Sequence, residues 1–221
     1  MTVSPTIIDM TTSGRGATSA IRVHNSGTKP LPVEIVTSRL ELDEQGGKTL
    51  TPAGDDLLVF PPQALVAPGG GQVFRIQWLG DALEASRTYR FSVNQLPVEL
   101  DPGKISLQIV YNFGVLVTVS PPDAVPALEI VEARATRTEE GKPAVDLLLE
   151  NSGSGAAWLS RAAVEIATRG NGARSLTLDP AHIAGSIGMG LVQPGKRRRF
   201  TVPADLPATA GALDVQLDYP R

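Results

Sequence analysis

The sequence predicts an all-β protein built as two antiparallel β-sandwich domains in tandem, and three observations carry that prediction. Apolar and polar residues alternate with the period of a strand through much of the chain. The 22 glycines and 18 prolines fall in short clusters that cut these runs apart at turn spacing. Landmarks of the first half return, in register, in the second.

The elements follow in order. Val3 to Met10 is a first strand, and SGRGAT turns the chain into Ser19 to His24, where Ile21 and Val23 share a face. Asn25-Ser26-Gly27 is a turn, because Asn and Gly tolerate positive φ. Leu31 to Leu42 is a strand, with Pro30 and Pro32 confined to its start where no ladder donor is missed. DEQGGK at 43–48 is a hairpin loop, and Leu57 to Phe60 is a short apolar run closed by Pro61-Pro62. After the turn Ala67-Pro68-Gly69-Gly70-Gly71, Val73 to Trp78 sets Phe74, Ile76 and Trp78 against Arg75 and Gln77. Thr88 to Leu96 does likewise, with Tyr89, Phe91 and Val93 opposite Arg90, Ser92 and Asn94. Seven or eight such strands with scarcely a helical pattern argue an antiparallel sandwich.

The stretch 103–120, GKISLQIVYNFGVLVTVS, is the longest of these runs. Ile105, Leu107, Ile109, Tyr111 and Phe113 hold one parity while Ser106, Gln108, Asn112 and Gly114 keep the other largely polar. From Val115 both parities turn apolar, with Leu116 among Val115, Val117 and Val119, so this half is expected to be covered on both faces. The pattern suits a last strand closing its own sandwich, and it equally suits an edge that offers a row of large apolar side chains to another protein.

PPDAVP at 121–126 is a stiff linker, since proline cannot continue a ladder. Beyond it Asn25-Ser26-Gly27 recurs as Asn151-Ser152-Gly153, with Leu147 and Leu149 where the first copy has Ile21 and Val23. Pro68 and Pro194 each lie 43 residues after their asparagine, and Phe74 and Phe200 each lie 6 residues after their proline. Three coincidences in register set the domains at 1–120 and 127–221.

Composition narrows the function. With 42% hydrophobic residues and a net charge of −3 the chain can bury real cores and carries no basic field for nucleic acid. No apolar run approaches a membrane span. The absence of cysteine removes disulfides, zinc thiolate sites and thiol catalysis together. The chain opens MTVSP without a basic and apolar leader, which fits either a cytosolic protein or one whose export signal was removed.

SAIRVHNSGTKPLPVEI, FPPQALVAPGGGQVFRIQW, YRFSVNQLPV, the long strand ending in SPP, and LVQPGKRRRF resemble the PapD-like chaperones of the chaperone-usher pilus pathway. The likeness spans essentially the whole chain, with its pieces in the family's order. It implies two immunoglobulin-like domains joined at an angle as a boomerang, and a long strand of the first domain, 103–120, lent to an incomplete pilin. The donated side chains would be Ile105, Leu107, Ile109 and Tyr111. The partners implied are pilin subunits and an outer-membrane usher, with a self-capping homodimer as one way for the free protein to cover its edge. The compartment implied is the periplasm, the signal peptide having been removed. No enzyme activity, cofactor, metal or small-molecule substrate is expected. The alternative is a two-domain immunoglobulin-like structural or adhesive module.

The chain departs from the family where the best-known members grip the subunit's C-terminal carboxylate with an arginine and a lysine. Those positions fall near Ile7 to Asp9 and at Leu116, none of them basic, and the interdomain ion pair would fall at Gln95 and Ser120. The resemblance is therefore to a divergent branch. Arg90 is the candidate carboxylate anchor because Tyr89, Phe91 and Val93 take the core face of its strand, and Arg75 is the second choice by the same alternation.

Other chemistry is thin. His24 and His182 each stand without a ligand motif and are expected to be structural or solvated. Gly69-Gly70-Gly71 lacks the Lys-Ser or Lys-Thr and the helix of a phosphate loop. The run Lys196 to Arg199 lacks stacking aromatics and a surrounding basic field, so it is expected to be a solvated strand edge. Asp179 to Ala184 is expected to be a helical turn between strands.

Overall fold

The computed structural model describes residues 1–97, 109–168, 175–206 and 213–220. They gather into two units, Met1–Glu41 with Thr49–Asp123, and Leu42–Lys48 with Ala124–Arg221. No helix among the described residues is long and apolar enough to cross a membrane.

Up to Ser120 the strands are β1 (Thr2–Ser4), β2 (Ile7–Thr11), β3 (Thr18–His24), β4 (Leu31–Leu42), β5 (Lys48–Pro52), β6 (Leu57–Phe60), β7 (Gln63–Val66), β8 (Gly71–Trp78), β9 (Arg87–Gln95) and β10 (Asn112–Ser120). One sheet runs β1-β3-β8-β6 and the other β2-β10-β9-β4-β5, with β7 also paired to β4. The single strand expected from Val3 to Met10 is thus two strands in two sheets. Pro5, which has no N–H for a ladder, stands at the break, so the chain crosses from β3 to β10 there. The prolines after Phe60 mark a second crossing, from β6 in one sheet to β7 in the other.

Alternation does what it predicts for the core. Ile21, Val23, Phe74, Tyr89, Phe91, Val93, Val115, Val117 and Val119 are all fully buried in one cluster. Burying each such side chain is worth about 1.5–3 kcal/mol, so this cluster is the main force holding the sheets together. Tyr89 carries its hydroxyl to the rim of the cluster and donates it to Asp56 Oδ2 at 2.6 Å. Burial, with the Asp56 carboxylate beside it, pushes the phenol well above its ordinary range.

Beyond the prolines at 121–126 the strands are β11 (Leu128–Arg137), β12 (Pro143–Asn151), β13 (Ala157–Trp158), β14 (Ala163–Thr168), β15 (Ser175–Leu178), β16 (Leu191–Val192), β17 (Lys196–Pro203) and β18 (Leu213–Asp218). They pair as β11-β12-β17, β13-β16 and β15-β14-β18 around Val145, Leu147, Leu149, Val164, Ile166 and Val202. The one α-helix described, α1 (Pro180–Ile187), is longer than the expected turn. Asp179 caps it by accepting from the His182 N–H at 2.7 Å, Pro180 opens it, and Ile183 is buried in the core.

The repeat read from sequence is a repeat of hydrogen bonds. Asn25 donates from Nδ2 to the carbonyls of Lys29 (2.8 Å) and Val66 (3.0 Å) and accepts at Oδ1 from the Gly27 N–H (2.9 Å). Asn151 donates to Gly155 (2.7 Å) and Val192 (3.0 Å) and accepts from Gly153 (3.1 Å). Gly69 and Gly195 each return their N–H to the carbonyl of their own asparagine, at 2.9 and 2.8 Å. A buried amide therefore ties a turn to a distant strand in both units, which is why Asn rather than Asp or Ser stands there.

The basic run at 196–199 is more than a solvated edge. Arg197 pairs with Glu150 at 2.7 Å, Arg198 lies 4.9 Å over the Phe200 ring, and Arg199 reaches Asp146 (2.6 Å), Glu132 (2.9 Å) and Glu44 (3.6 Å). His182 Nε2 lies 2.7 Å from the Pro203 carbonyl oxygen, a packing role.

Candidate functional site

The candidate site is the flank of β10 at Asn112–Val115 that no strand covers among the described residues. Between Leu116 and Ser120 this strand is sandwiched, with β9 antiparallel on one side and β2 parallel on the other. Between Asn112 and Val115 only β9 pairs with it among the described residues, because β2 begins at Ile7, opposite Leu116. Thr6 closes the covered part by accepting the Leu116 N–H at 2.9 Å. Successive N–H groups along a strand point to alternate sides, so the N–H groups of Gly114 and Asn112 turn to the same flank as that of Leu116. The Tyr111 carbonyl points the other way and accepts from Gln95 N–H at 2.9 Å, as that alternation requires.

Side chains divide by the same rule. Phe113 packs at the edge of the core, in ring contact with Tyr111 at 6.3 Å, so the two continue the row of Val115, Val117 and Val119 outward. Tyr111 is 50% exposed and Ile109 62%, a run of large apolar groups left in solvent where a soluble protein normally places charge. Ile105 and Leu107, the other residues of the predicted donor row, lie outside the described residues. On the opposite face Asn112 Nδ2 donates to Asn94 Oδ1, and Asn94 Nδ2 donates to Glu34 Oε1 at 3.2 Å, a polar chain across three strands.

Arg90 lies on that polar face, half-buried, directly opposite Leu116 on β10 and Ser38 on β4. Ile7 pairs with Leu116 in turn. Leu116, where the resemblance expects one cation, and Ile7, at one end of the stretch 7–9 where it expects the other, therefore share a cross-strand row with Arg90. The Nε of Arg90 is buried and meets no acceptor among the described residues. Its guanidinium leans diagonally onto Gly114, a residue whose importance the sequence reading missed, although a glycine inside a strand pattern is a recognisable signal of close approach. Arg75 does not join this row: it is exposed on β8, in the other sheet, opposite Ala20 and Phe60. Alternation sends both arginines away from the core, but the outer faces of two packed sheets look in opposite directions.

Gln95 and Ser120 form no ion pair here; Ser120 Oγ instead lies 2.7 Å from Ser86 Oγ. Among the described residues no group of three or more acidic or histidine side chains could hold a metal.

The chain has the fold seen in solved chaperones of fimbriae and pili. A chaperone of class 5 fimbriae, CfaA, matches at 13% identity over 100% of this chain and 99% of that one, with a TM-score of 0.58. A chain of the chaperone–tip adhesin complex of CFA/I fimbriae matches at 12% identity over 100% and 99%, TM-score 0.59. A chain of the complex between the Salmonella enterica SafA pilin and the SafB chaperone matches at 16% identity over 92% and 84%, TM-score 0.55. No family model matches the chain, and no curated protein is detectably similar to it in sequence.

Proposed function

We propose that this protein is a periplasmic chaperone of the chaperone-usher pathway, which stabilises pilin subunits by lending them the strand that ends in β10 and delivers them to an outer-membrane usher. The observation that carries the reading is the flank of β10: Asn112–Val115 pair with β9 alone among the described residues, beside an exposed apolar row at Ile109 and Tyr111. An extended segment that adds to such an edge gains main-chain hydrogen bonds for affinity and side-chain pockets for selectivity, and chaperone–pilin complementation is one of the standard instances of this mode. Four donated side chains, Ile105, Leu107, Ile109 and Tyr111, would contribute about 6–12 kcal/mol gross by burial before ordering costs. That is enough to hold a subunit that lacks one strand of its own core. Arg90 is the anchor for the subunit's terminal carboxylate, since it stands in the row where basic residues are otherwise expected. The work is strand pairing and involves no covalent step and no cofactor.

Co-expression with a subunit encoded beside the gene tests this. The wild-type chain is expected to co-purify with the subunit, and Leu107→Asp with Ile109→Asp to abolish the complex while the chaperone still unfolds cooperatively at its normal temperature. If the double variant cannot fold, those side chains belong to their own core, and the structural-module reading replaces this one.

A further inference from the structure

The hairpin that joins β4 to β5 is part of the second unit. Leu42–Lys48 gathers there, while the chain on either side of it, up to Glu41 and from Thr49, gathers with the first. Nothing in DEQGGK marks it out in sequence from an exposed loop.

Within the second unit this hairpin is held at three points. Leu42 donates its N–H to Oε1 of Gln193, a buried side chain, at 2.8 Å. Glu44 accepts the Arg199 N–H on its carbonyl at 2.8 Å and sets its carboxylate 3.6 Å from the Arg199 Nε. β17 ends its sheet, with β12 on one flank and no described strand on the other, so the Glu44 carbonyl satisfies a donor at an otherwise uncovered edge. Gly46 lies against Arg198, where a β-carbon would stand 2.9 Å from Nη2, and its φ of +90° is one that glycine adopts freely. Arg198 is itself fixed, 4.9 Å over the Phe200 ring and donating from Nη1 to the Leu191 carbonyl at 3.0 Å. The hairpin also holds its own shape: Asp43 accepts the Gly47 N–H on Oδ1 at 2.7 Å and the Gly46 N–H on its carbonyl at 3.1 Å.

A solvated loop needs neither a buried glutamine for its backbone nor a sheet edge to cap. We propose that Leu42–Lys48 is a strap, anchored in the second unit at Gln193, Arg198 and Arg199, through which the two units open together. The chain runs into the strap from β4 and out of it into β5, so opening the first unit loads these bonds, and opening the second frees the ends of two paired strands. Two sandwiches joined only through the prolines at 121–126 would instead open independently. The inference stands apart from strand donation.

Native-state hydrogen exchange on the full chain at rising urea tests it, because the slowest amides of each unit report that unit's opening. In the wild type the slowest amides of β9, in the first unit, and of β12, in the second, are expected to exchange at one rate with one urea dependence, and the Leu42 and Arg199 amides to be protected. Gly46→Val forces a side chain into Arg198 and into an unfavourable φ; Gln193→Leu removes the acceptor of Leu42 and carries the comparison if the valine variant does not fold. Each is expected to speed exchange at Leu42 and Arg199 by about tenfold, as loss of one hydrogen bond allows, and to part the rates of β9 and β12. Different rates for β9 and β12 in the wild type overturn the coupling, and so do equal rates in a variant whose Leu42 and Arg199 amides have become fast. Leu42 and Arg199 amides that are fast in the wild type, or still protected after both substitutions, overturn the strap itself.

Discussion

Arg90 stands directly opposite Leu116 in the β9–β10 ladder, one strand away from the position where the sequence resemblance implies a cation. Its Nε is buried without an acceptor among the described residues, which makes it a cost to the free protein. Arg90→Met is therefore expected to leave the melting temperature unchanged or higher. Capture of a subunit should weaken by about tenfold, because a charge-assisted hydrogen bond is lost. Calorimetric titration with a folded, strand-deficient subunit measures the second effect and a thermal melt the first.

Exposure predicts the outcome at the donor row. Ile109 and Tyr111 are 62% and 50% exposed, so replacing either with Asp should change stability by no more than about 0.5 kcal/mol. The complex with a subunit should nevertheless be lost in a pull-down, because the same side chains are to be buried there.

The two asparagines that organise the turns should be costly to remove. Asn25→Ala and Asn151→Ala each leave two carbonyls and one or more N–H groups without their side-chain partner. The expected loss is about 2–4 kcal/mol each. Hydrogen exchange should show it as lowered protection in β3 and β8 for the first and in β12 and β17 for the second. Aspartate is no substitute, since a carboxylate would face the carbonyls of Val66 or Val192.

Tyr89→Phe removes the hydroxyl bonded to Asp56 but keeps the ring against Trp78, whose centroid is 6.2 Å away. Asp56 keeps Arg87 at 3.5 Å. The expected cost is about 1–2 kcal/mol in denaturant unfolding, that of one hydrogen bond with its packing conserved.

Acid should act through the Arg199 cluster. The Arg199 hydrogen bond and charge hold the Glu132 carboxyl below its ordinary 4.5. The unfolded chain thus takes up this proton more readily than the folded one. The contribution is complete above the ordinary carboxylate range and fades as pH falls through the depressed folded value. Chemical denaturation between pH 7 and 3 should show a smaller acid-side decline for Arg199→Gln than for wild type.

Much of this was legible in the residues. Ile21, Val23, Tyr89, Phe91 and Val93 are core because strand side chains alternate. The asparagine turns were legible in their place but not in their cause: neither the asparagines nor Gly27 and Gly153 take positive φ, and it is the hydrogen bonds of the side-chain amides that hold them. Less was legible wherever polarity alone had to be read. The KRRR run has the composition of a solvated edge, yet Arg198 covers Phe200 and Arg199 gathers three carboxylates, since the aliphatic stems of arginine pack as well as they dissolve.

Local pattern by itself determined that the chain is made of alternating strands in two copies, and which face of each strand is apolar, because period-two alternation and turn chemistry act between near neighbours. Tertiary structure alone decided which sheet each strand joins: that Pro5 divides a strand between two sheets, that Arg75 and Arg90 part company, and that Arg90 meets Gly114 beside a flank that no described strand covers. Those outcomes depend on ladders between segments far apart in the chain, and no residue's neighbours in sequence encode which distant backbone will supply its hydrogen bonds.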